Sequence, residues 1–291
     1  MIPRFALARP RSLSEAFEAW ATANGDAAWY AGGTELLQVM KMGLARFGTL
    51  IDLKRLPELQ GISIGPDGAL VIGAGVTHRE IERSEAVARE LPGLAALEAH
   101  VANVRVRNQG TLGGNLCFAE PHSDPATFLL ACDAHVVLRS PGGERTVPIG
   151  SFVTGPLETA REAEEILVAV VVPRASPGEG RAYEKAKFRE RPAVSVGVRT
   201  RIDGGRIAEA HVAVGSLTDA PMLVPEAAAA LTGAPAHDGA LDGPLAAARG
   251  AFEHLDVVAD LDGSADFKRH LAGVILARAT RRAMAEAVAR A

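Results

Sequence analysis

Two glycine turns hold the residues of this chain best suited to chemistry. The first is Ala31-Gly32-Gly33-Thr34-Glu35-Leu36. The second is Gly110-Thr111-Leu112-Gly113-Gly114-Asn115, which follows Arg107-Asn108-Gln109 and leads into Leu116. Adjacent glycines permit positive φ and let a ligand come close to the main chain. Each turn brings backbone amides and a threonine hydroxyl to a bend. Two such turns facing each other can grip a pyrophosphate from both sides without lysines. One Gly-Gly-Thr alone reads as an ordinary tight turn, because turn chemistry by itself favours glycine. The pair, with Asn115 and the downstream Ser123-Asp124, is far more specific.

The elements that must position these turns are legible in the periodicity. Ser12-Leu13-Ser14-Glu15 has the form of a capping box, and Leu13, Ala16, Phe17 and Trp20 recur at helical spacing, which predicts a helix over 12–24. Ala27 to Tyr30 is a short strand delivering the chain into the first turn. Leu36 to Met42 is a helix leaving it, and Thr49 to Leu53 is another strand. A hairpin follows, with strands 60–64 and 69–73 around Pro66-Asp67-Gly68. Thr77 to Glu80 is a second capping box, opening a helical stretch to about Val101. After the second turn, Ser123-Asp124-Pro125 reads as an N-cap with proline at the first helical position, starting a helix through Phe128, Leu129 and Leu130 to Ala134. Strands at 135–139, 144–148 and 165–172 complete this part. Ser176-Pro177-Gly178-Glu179-Gly180 reads as a linker. Beyond it come strands near 181–188, 193–202 and 206–216, then mostly helical sequence. The last helix, about 264–290, places Phe267, Leu271, Val274 and Ile275 on one face.

Bulk properties narrow the function classes. The 291 residues are 48% hydrophobic and 23% charged, enough for two domains with real cores. The net charge of −4, without a long block of one sign, argues against a nucleic-acid partner. No apolar run is long enough for a membrane span, and the first residues lack the apolar region of a signal peptide, so the chain reads as cytoplasmic. Its two cysteines, Cys117 and Cys132, exclude a disulfide framework and point to a reducing compartment. They are also too few to ligate an all-thiolate iron–sulfur cluster. No zinc spacing and no His-Glu-x-x-His is present.

Other motifs fail on context. Gly61-Ile62-Ser63-Ile64-Gly65 matches a hydrolase nucleophile elbow, but a hairpin turn and a strand follow where a helix is required. Gly73-Ala74-Gly75 begins like a dinucleotide fingerprint, whose third glycine would fall at His78. There is no P-loop. His122-Ser123-Asp124 holds the residue types of a hydrolytic triad, yet consecutive side chains cannot converge as a triad must. Ser123 or Asp124 reads more simply as a helix cap, with a hydrogen bond from a ligand hydroxyl to Asp124 as the functional alternative. Lys185 and Lys187 read as a solvated strand face, and Cys117 as a small core residue.

The two turns, with Ala119-Glu120-Pro121-His122-Ser123-Asp124, resemble the flavin-gripping loops of the FAD-binding subunits of molybdenum hydroxylases. That family includes the medium subunit of aerobic carbon monoxide dehydrogenase and the flavin domain of xanthine dehydrogenase. The resemblance covers essentially the whole chain. It implies an α+β architecture: a two-lobed FAD-binding domain of the p-cresol methylhydroxylase type over 1–175, followed by a smaller α+β C-terminal domain over 181–291. The small lobe would span about 1–56 and the larger lobe about 57–175. It implies FAD held by Ala31, Gly32, Gly33, Thr34 and Glu35 from one side and by Gly110, Thr111, Gly114 and Asn115 from the other. Trp29 and Leu36 would flank the cofactor, and Cys117 would lie near it. Ser123 and Asp124 would contact the ribityl or ribose portion, Ile166 and Leu167 the adenine or isoalloxazine, and Tyr183 and Lys185 the flavin ring. The family usually reads Ala-Asp-Pro-x-Ser-Asp. Glu120 replaces the first aspartate here, keeping the acid on a longer arm.

The same resemblance implies an electron-transfer oxidoreductase subunit with no catalytic acid or base of its own and no metal. Its partners would be a molybdopterin-binding large subunit and a [2Fe–2S] small subunit, assembled as a dimer of heterotrimers. Two other readings stay open from sequence. One is a self-sufficient flavin-dependent reductase or oxidase, and the other a non-enzymatic assembly protein of the same fold.

Overall fold

Alternation along a few short strands sets up the first sheet. Ala6–Ala8, Ala27–Tyr30 and Thr49–Asp52 pair in parallel, with Thr49–Asp52 in the middle. Successive residues of a strand face opposite ways. Ala28 and Tyr30 therefore pack with Met40, Leu50, Leu36 and Leu37, while Ala27 and Trp29 pack with Leu13, Ala16, Phe17, Trp20 and Ile51. Helix Leu13–Ala23 covers the second face and helix Leu36–Met42 the first. The first glycine turn is the bend between a strand and the helix that folds back on it. The computed structural model describes residues 2–290.

Caps decide where the next elements begin and end. Ser12 accepts the Glu15 amide, but the Glu15 carboxylate takes the Arg11 amide, so the first capping box is only half formed. The Thr77–Glu80 box is complete. The long helix expected after it is instead three short ones, His78–Arg83, Glu85–Glu90 and Pro92–Glu98. Ser84 is extended and its hydroxyl caps the Val87 amide, which ends one helix and starts the next. Pro92 lacks an amide hydrogen and opens the third. A fourth short helix, Val104–Arg107, leads into the second glycine turn, and helix Leu112–Phe118 leaves it.

A five-stranded antiparallel sheet forms the middle layer, in the order Ile62–Ile64, Leu70–Gly73, Ile166–Val172, His135–Ser140, Gly143–Pro148. Its apolar face joins the main core around Phe128, Phe152, Leu112 and Leu116. Phe128 and Phe152 are fully buried, each contributing roughly 2–3 kcal/mol. Ser63 lies exposed on the edge strand, followed by the hairpin turn, so no nucleophile elbow exists.

Only the start of the expected linker is irregular. Glu179 and Gly180 already belong to a buried strand, Glu179–Lys187, which pairs with Pro192–Asp203, then Arg206–Gly215 and Met222–Leu223. Helix Ala265–Ala289 lies across this sheet so closely that Gly180 meets the Ala283 carbonyl. The buried face of that helix is Lys268, Ala272, Ile275, Leu276, Ala279 and Ala283. The expected face was centred one position away, since Phe267 is exposed. Small residues win here because the backbones approach too closely for larger ones. Among the described residues no helix is long and apolar enough to cross a membrane, and no metal-ligand cluster occurs.

Candidate functional site

The two glycine turns meet backbone to backbone. A Cβ placed on Gly32 would strike the Gln109 carbonyl and sit 2.7 Å from the Gly110 Cα. On Gly114 it would lie 2.8 Å from the Thr111 hydroxyl and 3.7 Å from the Ala31 Cβ. Gly33 holds φ at 72°, with the Tyr30 ring packed where its side chain would be. That ring also carries the Lys54 ammonium 4.0 Å above its centroid. At Gly32 only glycine lets the two turns close on each other, and at Gly33 and Gly114 a side chain would crowd its own turn.

The turns differ in what they offer. Among the described residues, the amides of residues 31 to 36 donate to no protein oxygen. In the second turn most amides are spent inside the chain. Gly110 donates to Val106, Leu112 to Val76, Gly113 to Ala74, Gly114 to the Thr111 hydroxyl and Asn115 to the Thr111 carbonyl. The symmetry expected from the sequence is therefore absent. The Thr111 hydroxyl caps its own helix, and the turn's side-chain donor is the Asn115 amide, whose oxygen accepts from the Ser123 hydroxyl at 2.6 Å. A run of unpaired amides beside bare glycines fits an anionic group on a nucleotide cofactor.

Next to this lies a buried polar group that joins distant elements. Asp124 accepts from the Tyr183 hydroxyl at 2.5 Å and from the Lys185 ammonium at 2.7 Å, while Lys185 also donates to the His100 carbonyl. Burial, reinforced by Asp124, pushes the Tyr183 phenol well above its ordinary value, so it stays a donor. Ser123 occupies the cap position of helix Asp124–Ala131 without a side-chain cap bond, and Lys185 is largely buried. The local readings of a Ser-Asp cap and a solvated lysine face both yield to these partners.

The remaining expected residues fall into three groups. Trp29 and Leu36 sit on opposite faces of the small sheet and do not face each other. The Trp29 indole stacks on Trp20 and donates to the Ala163 carbonyl. Ile166 and Leu167 are core residues of the middle sheet. Burial pushes the Cys117 thiol up to about 11 against the pull of Arg161, so it is a neutral thiol at neutral pH.

Sequence reasoning missed Arg191. On the turn after Glu179–Lys187, it pairs with Glu120 at 2.7 Å and Glu35 at 3.7 Å. Burial raises the Glu35 pKa against Arg191, with Glu120 adding to the rise. His122 bridges Glu120 at 2.9 Å and Asp260 at 3.4 Å. No local pattern marks Arg191, because its partners lie far along the chain.

Comparison with known proteins decides the family. Residues 3–175 match the FAD binding domain in molybdopterin dehydrogenase, and residues 181–283 match the CO dehydrogenase flavoprotein C-terminal domain. The chain belongs to the FAD-binding medium subunits of the molybdenum hydroxylases. This medium-subunit chain is 34% identical to the carbon monoxide dehydrogenase medium chain of Hydrogenophaga pseudoflava, over 97% of its own length and 98% of the relative's. It is 31% identical to the xanthine dehydrogenase FAD-binding subunit of Escherichia coli O157:H7, over 97% and 96% of the two chains. The solved carbon monoxide dehydrogenase of Hydrogenophaga pseudoflava lacking the Mo-pyranopterin moiety superposes with a TM-score of 0.92, covering 98% of this medium subunit and 99% of the matched chain. The cofactor of the family is FAD. The α+β architecture of an FAD-binding domain plus a C-terminal domain is shared with these structures.

Proposed function

We propose that this chain is the electron-transfer subunit of a molybdenum-containing oxidoreductase, holding FAD between its two glycine turns. Bound FAD supplies the redox chemistry, converting single-electron delivery from a [2Fe–2S] partner into two-electron delivery to an external acceptor. The protein's part is to bind, orient and shield. Amides of Gly32, Gly33, Thr34 and Glu35 would hold the pyrophosphate, with Ala31 and Leu36 shaping that turn. Gly110, Thr111 and Gly114 would set its opposite wall, and Asn115 would donate from its side chain. Asp124, Tyr183 and Lys185 would present a hydrogen-bonded polar edge to the ribityl chain or ring.

The observation carrying this reading is the unpaired amide run of residues 31 to 36, pressed by Gly32 against Gly110. The matched spans, 3–175 and 181–283, support dividing the chain at 175/181, and within the first part the lobes would meet near residue 56. The partners would be a molybdopterin-binding large subunit and a [2Fe–2S] small subunit, in a dimer of heterotrimers in the cytoplasm.

The test is reconstitution. The isolated chain with FAD should be reducible by dithionite and inert toward hydroxylase substrates. Adding the two partner chains should restore substrate-dependent flavin bleaching. Steady turnover by the isolated flavoprotein would overturn the subunit assignment.

A further inference from the structure

Beneath the second glycine turn lies a buried ion pair with no part in the site just described. His78 is 3% exposed and Glu98 is fully buried, and the imidazole Nδ1 sits 2.6 Å from a Glu98 carboxylate oxygen. The other carboxylate oxygen has no protein partner. A buried carboxylate in that condition is costly unless a cation or a proton compensates it.

His78 is joined directly to the turn. Its amide donates to the Gly110 carbonyl at 3.0 Å, beside the isolated bridge between Thr77 and Thr111. A Cβ on Gly110 would lie 3.0 Å from the imidazole Cδ2 and 3.4 Å from Nε2. One layer further out, a Cβ on Gly32 would lie 2.7 Å from the Gly110 Cα. Ring, second turn and first turn thus stack through two bare glycines, with no flexible side chain between them to absorb a shift.

We infer that His78, held by Glu98, is a positioning residue that sets the spacing of both glycine turns and couples flavin affinity to the protonation of this buried pair. The inference rests on the cofactor assignment above. The groups acting on His78 are Glu98 from helix Pro92–Glu98, Asp124 from helix Asp124–Ala131 and Arg107 from helix Val104–Arg107. Asp124 is already paired with Lys185, and Arg107 with Glu82. Burial works against the imidazolium, but Glu98 outweighs it, and the His78 pKa ends above its ordinary value. While the pair keeps its proton it is neutral overall. Losing that proton leaves a buried anion below the turn expected to face the pyrophosphate. Bound flavin therefore favours the protonated pair, and by linkage its affinity falls as pH rises through the pKa of the flavin-free pair.

The experiment measures FAD dissociation constants of the full chain by flavin fluorescence from about pH 6 to about pH 9, the range around an ordinary imidazole. A single linked proton gives at most a tenfold weakening per pH unit, roughly, and the slope appears on the alkaline side. Glu98→Gln and His78→Gln should flatten it. A flat profile in the unmodified chain, or an unchanged slope in Glu98→Gln, overturns the coupling while leaving FAD binding intact. Absence of FAD binding at every pH overturns both readings. Should the variants fail to fold, the NMR titration of the His78 ring in the unmodified chain decides. Its pKa should be higher with FAD than without, and an identical value in the two states overturns the inference.

Discussion

Gly33 holds φ at 72° with the Tyr30 ring against its α-carbon, so Gly33→Val adds a β-branched side chain where both backbone and packing refuse it. We expect flavin occupancy to be lost while the far-ultraviolet circular dichroism is largely kept, because the strain is confined to one turn. Full occupancy after purification would show that the turn does not face the cofactor. Gly32→Ala should act similarly by forcing the turn off the Gln109 carbonyl. Asp124 is different in kind. Its carboxylate is the shared acceptor of Tyr183 and Lys185, so Asp124→Ala takes that acceptor from a buried phenol and removes the counter-charge of a largely buried ammonium, which keeps only the His100 carbonyl. The expected loss is about 3 kcal/mol of folding stability, read from urea unfolding of the flavin-free chain. A loss confined to flavin affinity would restore the simpler role of a ligand contact. The Cys117 thiol, pushed up to about 11, is no nucleophile at neutral pH. Acid precipitation should accordingly release the flavin into the supernatant.

At the scale of elements, local signals performed well where a cap or a turn residue set the boundary. The strand Ala27–Tyr30 and the helix Leu36–Met42 have the ends their sequence implies, because a glycine turn and a left-handed Gly43 punctuate them. Sequence alone predicts a helical stretch from the Thr77–Glu80 box to about Val101, since the apolar periodicity runs on through two breaks. Ser84 supplies one break and Pro92 the other. Ser84→Ala removes the Val87 cap bond and should cost about 1 kcal/mol, measured as a lower denaturation midpoint with unchanged flavin affinity. The last helix has the bounds its sequence implies, but its buried face lies one position away from the expected one for a related reason. Its buried stripe is mostly alanine, and alanine carries little hydrophobic signal against the larger Phe267 and Val274 beside it.

Over the whole molecule, paired carboxylates set the acid limit. Glu165 accepts two hydrogen bonds from Arg145, at 2.6 and 2.8 Å, which hold its pKa below the ordinary carboxylate value. Asp260 is also lowered; burial opposes this, but Lys268 and its other hydrogen bonds prevail. A carboxylate with a depressed folded pKa stabilises fully above its unfolded pKa, near about 4, and that stability is lost as pH falls through the folded value. The urea midpoint should drop below about pH 4, and Arg145→Gln should make the drop smaller. An equal drop in the variant would show that the pair contributes nothing to acid stability. The long-range ties run the same way. Asp124 with Lys185, and Arg191 with Glu35 and Glu120, join the segment after residue 178 to the first glycine turn and to the stretch 120–124 that follows the second.

The sequence by itself determined the two turns, the strand entering and the helix leaving the first of them, the absence of a disulfide framework and the family resemblance. Each depends on residues close together in the chain, where glycine freedom, capping and periodicity act on local backbone. Only the tertiary structure decided which donors stay available. Thr111 is consumed by its own helix, Trp29 turns to Ala163, and Asp124 is claimed by Tyr183 and Lys185, 59 and 61 residues away. His78, which in the sequence only spoils a glycine motif, becomes the floor of the second turn once Glu98 folds beneath it. A buried polar group must find a partner wherever the fold places one, and local sequence carries no record of that choice.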